Sequence, residues 1–140
     1  MKLRLLLATL LLAAAFQAKA EVRLPGFFGD NMVLQRQEPV KIWGWADRNE
    51  NVAVGFNGQQ FKTRAGRDGT WEVTLPPMEH GGPHTLAVSG KSNRIEFDNI
   101  VVGEVWLCSG QSNMEWRVKS SNNAEQEIAE ADYPMIRSLT

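Results

Sequence analysis

The sequence predicts a β-sandwich over residues 21–98, followed over 99–140 by the first strand–helix–strand unit of an α/β domain that is broken off early. Three observations carry this prediction. Apolar and polar residues alternate with period two through most of the first stretch, and turn signals recur there at roughly ten-residue spacing. At Ile100 the alternation stops and a nearly continuous apolar run begins, as in a strand buried on both faces. Residues 1–20 stand apart from both regions.

Met1 to Arg4 is short and basic, Leu5 to Phe16 is apolar, and Ala18-Lys19-Ala20 is a small-x-small cleavage site. This is the three-part pattern of a secretory signal peptide. An apolar stretch of 12 residues falls short of the roughly twenty that a hydrocarbon core requires, so a leader is expected rather than an anchor. The mature chain then begins at Glu21, has no membrane span and is exported to the periplasm or beyond. With Lys2, Arg4 and Lys19 removed it keeps 12 basic and 16 acidic residues, a net charge of -4. Nucleic acid and anionic membrane surfaces are not expected as partners, because both demand a concentrated positive field.

The strands follow in order. Met32-Val33-Leu34 and Val40-Lys41-Ile42-Trp43 are the first two. Val52, Val54 and Phe56 share one face of the third; Asn57-Gly58 is a type I′ hairpin signal, and Phe61, Thr63 and Ala65 return on the fourth. After the turn at Arg67-Asp68-Gly69, Trp71, Val73 and Leu75 alternate with polar residues until Pro76-Pro77, which has no N–H to donate to a ladder. Thr85 to Val88 and Ile95-Glu96-Phe97 complete an antiparallel sandwich. Around eighty residues suffice for one small core.

Within this region Trp43 and Trp45 share one side of a strand, opposite Ile42. They are read either as a platform for stacking on sugar rings or as residues covered by the other sheet or a neighbouring domain, and the covered reading is favoured because Trp is usually buried. His80 and His84 lie in a segment that Gly81-Gly82-Pro83 makes a turn. Two histidines without a third ligand are not a metal site, and solvated loop residues are expected there. Cys108 has no partner for an internal disulfide and ends the run Val105-Trp106-Leu107. It is expected to be a buried small hydrophobe, with no basic neighbour to activate a thiolate.

From Asn99 onward the expected order is a strand over Ile100 to Cys108, a turn over Gly110-Gln111-Ser112-Asn113-Met114, a helix from Asn123 to Ala131 and a strand over Met135 to Leu139. Open α/β sheets bind ligands at the carboxyl ends of their strands, which is where Ser112 falls. Gly110 permits a positive φ at the turn, and a short helix beginning near Asn113 aims unpaired N–H groups toward Ser112 and so favours an oxyanion. Ser112 is thus read either as a nucleophile or as a plain helix N-cap. The nucleophile elbow G-x-S-x-G does not fit, since Met114 stands where the second Gly belongs.

The run Gly103-Glu104-Val105-Trp106-Leu107-Cys108-Ser109-Gly110-Gln111-Ser112-Asn113-Met114-Glu115-Trp116 closely resembles the nucleophile block of the sialate O-acetylesterase family, a branch of the SGNH hydrolases. Asp30 to Arg36, Val40 to Ala46 and Trp71 to Met78 resemble the family's N-terminal β-domain, so the likeness extends from about Leu24 to Leu139. The resemblance implies that residues 99–140 begin an SGNH-type esterase domain and that Ser112 attacks an acetyl ester of an O-acetylated sugar. The Ser112 N–H is then one oxyanion donor, while Gly110, Gln111 and Asn113 order the turn around it. The histidine base and its orienting aspartate come from a downstream block in this family, as do further oxyanion donors. His80 and His84 precede Ser112 and match neither position.

The chain is therefore expected to be the N-terminal fragment of an exported serine esterase, inactive alone, with its β-domain packed on the rest of the catalytic domain. No metal or organic cofactor is implied, since ester hydrolysis by serine needs only a base and oxyanion donors. The alternatives are a carbohydrate-binding β-sandwich that reads glycans through Trp43 and Trp45, and a purely structural β-module.

Overall fold

A computed structural model describes residues 21–139. The leader assigned to residues 1–20 lies outside this range. Seven strands form among the described residues: β1 (Val33–Gln35), β2 (Val40–Trp45), β3 (Asn51–Phe56), β4 (Gln59–Arg64), β5 (Thr70–Leu75), β6 (Gly81–Ser89) and β7 (Arg94–Gly103). Among the described residues one α-helix, α1 (Ala124–Glu130), and two short 3-10 helices follow them.

Five strands make a mixed sheet in the order β1-β7-β6-β3-β4, and β2 pairs with β5 in a second, two-stranded sheet. The sequence predicted antiparallel pairing throughout the sandwich, and four of the five strand pairings are antiparallel. β1 lies parallel to β7, with Val33 opposite Val101 and Gln35 opposite Gly103. Three residues separated from β7 by 58 others carry no local signal for direction.

Period two explains which side chains meet. Val52, Val54 and Phe56 of β3, Trp71, Val73 and Leu75 of β5, and Leu86 and Val88 of β6 all enter one core. Ile42, Leu75, Leu86, Val54, Val88 and Ile100 are wholly buried, each contributing roughly 1.5–3 kcal/mol of transfer free energy. The β3–β4 hairpin turns at Asn57 (φ 47°) and Gly58 (φ 73°), the two left-handed residues that a type I′ turn demands. Gly44 faces the core beneath Trp71; a Cβ there would sit 2.0 Å from the Arg23 carbonyl oxygen. That absence of side chain lets Arg23 and Trp45 exchange backbone hydrogen bonds of 2.8 and 2.9 Å.

Two loops are tied by a buried carboxylate. Glu50 accepts the Asp47 N–H at 2.9 Å and the Lys91 N–H at 2.5 Å, so the β2–β3 loop and the β6–β7 turn share one acceptor.

Several expectations need correction. The segment Gly81-Gly82-Pro83 is not a free turn but the bulged start of β6, with register shifts on either side of His84. His84 is half-buried against the Phe56 ring at 5.2 Å, while His80 is exposed. Trp43 and Trp45 are not covered by the other sheet; each keeps 37% of its surface exposed, and they meet edge to face at 5.5 Å. The apolar run from Ile100 splits in two. Ile100, Val101 and Val102 are buried in β7, which runs past residue 98, where the sequence pattern placed the domain junction. Val105, Trp106, Leu107 and Cys108 form no strand and are exposed, so neither the strand to Cys108 nor the burial of its thiol is found. Met135 to Leu139 likewise forms no strand. The strand–helix–strand unit is accordingly reduced to its helix, α1, which begins one residue after Asn123.

Candidate functional site

The candidate site lies on the segment that leaves β7 at Gly103. Its exit is gripped by β1 and the residue after it. The Arg36 N–H donates to the Gly103 carbonyl at 2.9 Å, the Gln35 Oε1 accepts the Val105 N–H at 3.0 Å, and Arg36 forms a 2.6 Å ion pair with Glu104. The Gln35 side-chain amide also donates to Glu104 at 3.2 Å. That hydrogen bond first, and Arg36 second, hold the Glu104 carboxyl below the ordinary carboxylate value.

Eight residues beyond Glu104 the chain tightens into a 3-10 helix, Ser112–Glu115. Gln111 occupies the N-cap position, and no side chain caps this turn. The plain N-cap reading of Ser112 is therefore not what the geometry shows. Ser112 is the first helical residue, exposed, and among the described residues no hydrogen bond ties its hydroxyl to an imidazole or a carboxylate. The Met114 N–H donates to the Gln111 carbonyl at 2.8 Å. Gly110 does not take a positive φ. Its role is steric instead: a Cβ at Gly110 would lie 2.8 Å from the Met114 Cγ, so the methionine folds back over the bare backbone. Asn113 is exposed beside Ser112, and Trp116 donates its indole N–H to the Ser121 hydroxyl at 3.1 Å, closing the next turn.

The segment returns to the strand body through Arg137. Its guanidinium donates to the Asn99 carbonyl, to the Asn99 Oδ1 at 3.0 Å and to the Met32 carbonyl at 3.4 Å. Asn99 is in the left-handed region (φ 57°), which turns its carboxamide outward to meet both Arg137 and Asn31. Sequence reading passed over Arg137, whose position shows no motif. The segment bearing Ser112 is thus held at one end by Gln35 and Arg36 and at the other by its own Arg137, which reaches back to Asn99 and Met32. Between those ends Trp106, Leu107, Trp116 and Ile136 are largely exposed, the first two at 82% and 95%.

The predicted residues come together only in part. Gly110, Gln111, Ser112 and Asn113 share one tight turn, whereas His80 and His84 lie at β6, beside a cleft lined by no residue after Val102. Among the described residues no group of three His, Cys, Asp or Glu is placed to hold a metal ion, and no helix is long and apolar enough to cross a membrane.

No family model matches the sequence. Known proteins do. Sialate O-acetylesterase of Homo sapiens is 33% identical over 148 residues, covering 96% of this chain and 28% of that protein. The Rattus norvegicus sialate O-acetylesterase is 33% identical over 129 residues, covering 82% of this chain and 23% of its own length. The crystal structure of a carbohydrate acetylesterase from Xanthomonas citri superposes with a TM-score of 0.75 at 37% identity, over 81% of this chain and 26% of that one. A mixed sheet with few helices is therefore shared with a carbohydrate acetylesterase. More narrowly, the chain belongs to the sialate O-acetylesterase family, of which it represents a partial, N-terminal region. It spans 28% of the length of the human protein.

Proposed function

We propose that this chain is the N-terminal part of an exported serine esterase that removes O-acetyl groups from sialic acid or a related acetylated sugar, with Ser112 as nucleophile. The observation that supports this most is the exposed serine at the start of the 112–115 turn, inside a chain related to O-acetylesterases over 96% of its length. In this reading residues 1–20 are the cleaved leader, the strands through the end of β7 at Gly103 form an accessory β-domain, and the segment after Gly103 begins an SGNH-type catalytic domain.

The Ser112 Oγ attacks the acetyl carbonyl, a base takes the hydroxyl proton, and the sugar oxygen leaves as an alcohol with that proton. Water then cleaves the acyl-serine to acetate and regenerates Ser112. Backbone N–H groups of the turn, that of Ser112 included, face the developing oxyanion, and each such donor is worth about 3 kcal/mol or more. The base and its carboxylate partner belong to parts of the enzyme beyond this sequence. The exposed Trp106, Leu107 and Ile136 are the surface on which those parts pack.

Two measurements test this. The 140-residue chain should show no hydrolysis of p-nitrophenyl acetate above a Ser112→Ala control, and the complete enzyme should lose turnover on the same substitution while keeping its fold. Retained turnover in the substituted enzyme would remove Ser112 from the mechanism. A second reading, a glycan-binding β-module, is favoured by one observation: Phe27, Trp43 and Trp45 form an outward aromatic strip, with ring centroids 6.1 and 5.5 Å apart. Loss of glycan binding on Trp43→Ala and Trp45→Ala would support it.

A further inference from the structure

A cleft of about 370 Å³ opens between the end of β5, the β3–β4 hairpin and the bulged start of β6. Its size falls within the roughly 300–1,000 Å³ of small-ligand sites. None of its lining comes from the segment that carries Ser112. We propose that this cleft is a second binding site, and that it takes a neutral saccharide residue.

The lining decides the ligand class. Phe61, Pro77 and Met78 present aromatic and aliphatic surface, backed by the buried Phe56 and Leu75. Such a wall suits the C–H face of a sugar ring. Asn57, Gln59 and His80 stand exposed around it with amide and imidazole groups able to donate and accept, which suits hydroxyls. His84 is set by its contact with Phe56 at 5.2 Å, so part of the polar rim is positioned before any ligand arrives.

Charge narrows the class further. Glu79 lines the cleft and no Lys or Arg does. A carboxylate, sulfate or phosphate would give up its hydration here and meet an acidic neighbour without a guanidinium or ammonium to replace the lost water. An acidic sugar is therefore disfavoured at this site, and a neutral pentose or hexose unit is not. The inference goes beyond the esterase reading and does not depend on the role of Ser112. It places a contact to neutral glycan on the strand body, apart from the candidate nucleophile.

The test is an NMR titration of the isotopically labelled chain with xylotetraose, with cellotetraose and with free N-acetylneuraminic acid. Saturable amide shifts confined to residues 56–61 and 76–84 are expected with at least one neutral oligosaccharide. N-acetylneuraminic acid should bind at least fivefold more weakly. Gln59→Ala combined with His80→Ala, both at exposed positions, should weaken the neutral ligand at least fivefold while leaving the remaining spectrum unchanged. The proposal is overturned by the absence of saturation with both neutral ligands, by tighter binding of N-acetylneuraminic acid, or by shifts centred on Trp43 and Trp45 instead of the cleft. Ester hydrolysis plays no part in the readout, so failure here leaves the esterase reading standing, and failure of the Ser112 test leaves this one standing.

Discussion

Arg137→Ala isolates the hold that the strand body has on the serine-bearing segment. The guanidinium makes two firm hydrogen bonds to Asn99, one to its carbonyl and one to its Oδ1, and a longer one of 3.4 Å to the Met32 carbonyl. At a partly exposed position each firm bond is worth about 1 kcal/mol net, and the long one little. The substitution therefore frees about 2 kcal/mol of local closure, which raises the open fraction about 30-fold, since 1.4 kcal/mol is a factor of ten. Amide exchange at Ile136, whose N–H donates to the Tyr133 carbonyl at 2.9 Å, reports that opening. Exchange there should accelerate about 30-fold while the Leu86 and Val88 amides in β6 keep their rates, because local opening leaves the core intact. Arg137→Lys keeps the charge but not the fork, and should recover only part of the loss. An acceleration below threefold at Ile136, or an equal one in β6, would refute a local clamp at Arg137.

Four other outcomes follow from the fold. Gly44→Ala drives a methyl group to 2.0 Å from the Arg23 carbonyl oxygen and must part the Arg23–Trp45 pair; about 2.5 kcal/mol is lost, lowering the thermal midpoint about 10–20 °C by circular dichroism. Gly26→Ala, with no atom within 4 Å, should stay within about 0.5 kcal/mol of the parent. Glu50→Ala leaves the Asp47 and Lys91 N–H groups without their acceptor, costing about 2–4 kcal/mol in urea unfolding, with Glu50→Gln the milder change. Glu104, held low by Gln35 and Arg36, and Asp68, held low by the Thr70 N–H and hydroxyl, have folded values below their ordinary 4.5 and 3.8. Their contribution is thus complete above the unfolded values and fades as pH falls through the folded ones, so acid unfolding below about pH 4.5 should be shallower in Glu104→Gln with Asp68→Asn.

Six of the seven strands were legible in the sequence because a half-buried strand needs nothing beyond its own alternation and a turn; β7 was not, since Ile95 to Phe97 and the run from Ile100 were expected as separate strands and instead join through Asn99. Asn57-Gly58 specifies its hairpin locally, and Trp71, Val73 and Leu75 mark their shared face without reference to a partner. The direction of β1 was not legible, since three residues pair with a strand far along the chain and the choice is made by β7. The bulge at His84 was hidden for a related reason: glycine and proline signal departure from regular backbone, and a turn and a bulge use the same residues.

The candidate site divides along the same line. The turn at Gly110 to Met114 was legible, although Gly110 serves by leaving room for Met114 and not by a left-handed φ. The apolar run was readable as a demand for burial but not as a statement of what meets it. Ile100, Val101 and Val102 find that burial between β1 and β6, whereas Val105, Trp106 and Leu107 stay 54%, 82% and 95% exposed. The grip on the segment lies in polar residues with no periodic signature, Gln35, Arg36 and Arg137, each acting across 38 residues or more. Periodicity reports burial within one element. A contact that joins the serine turn to a strand body depends on where two distant backbones bring a carbonyl and a guanidinium together, and Asn99 supplies that only because its φ of 57° turns its carboxamide outward.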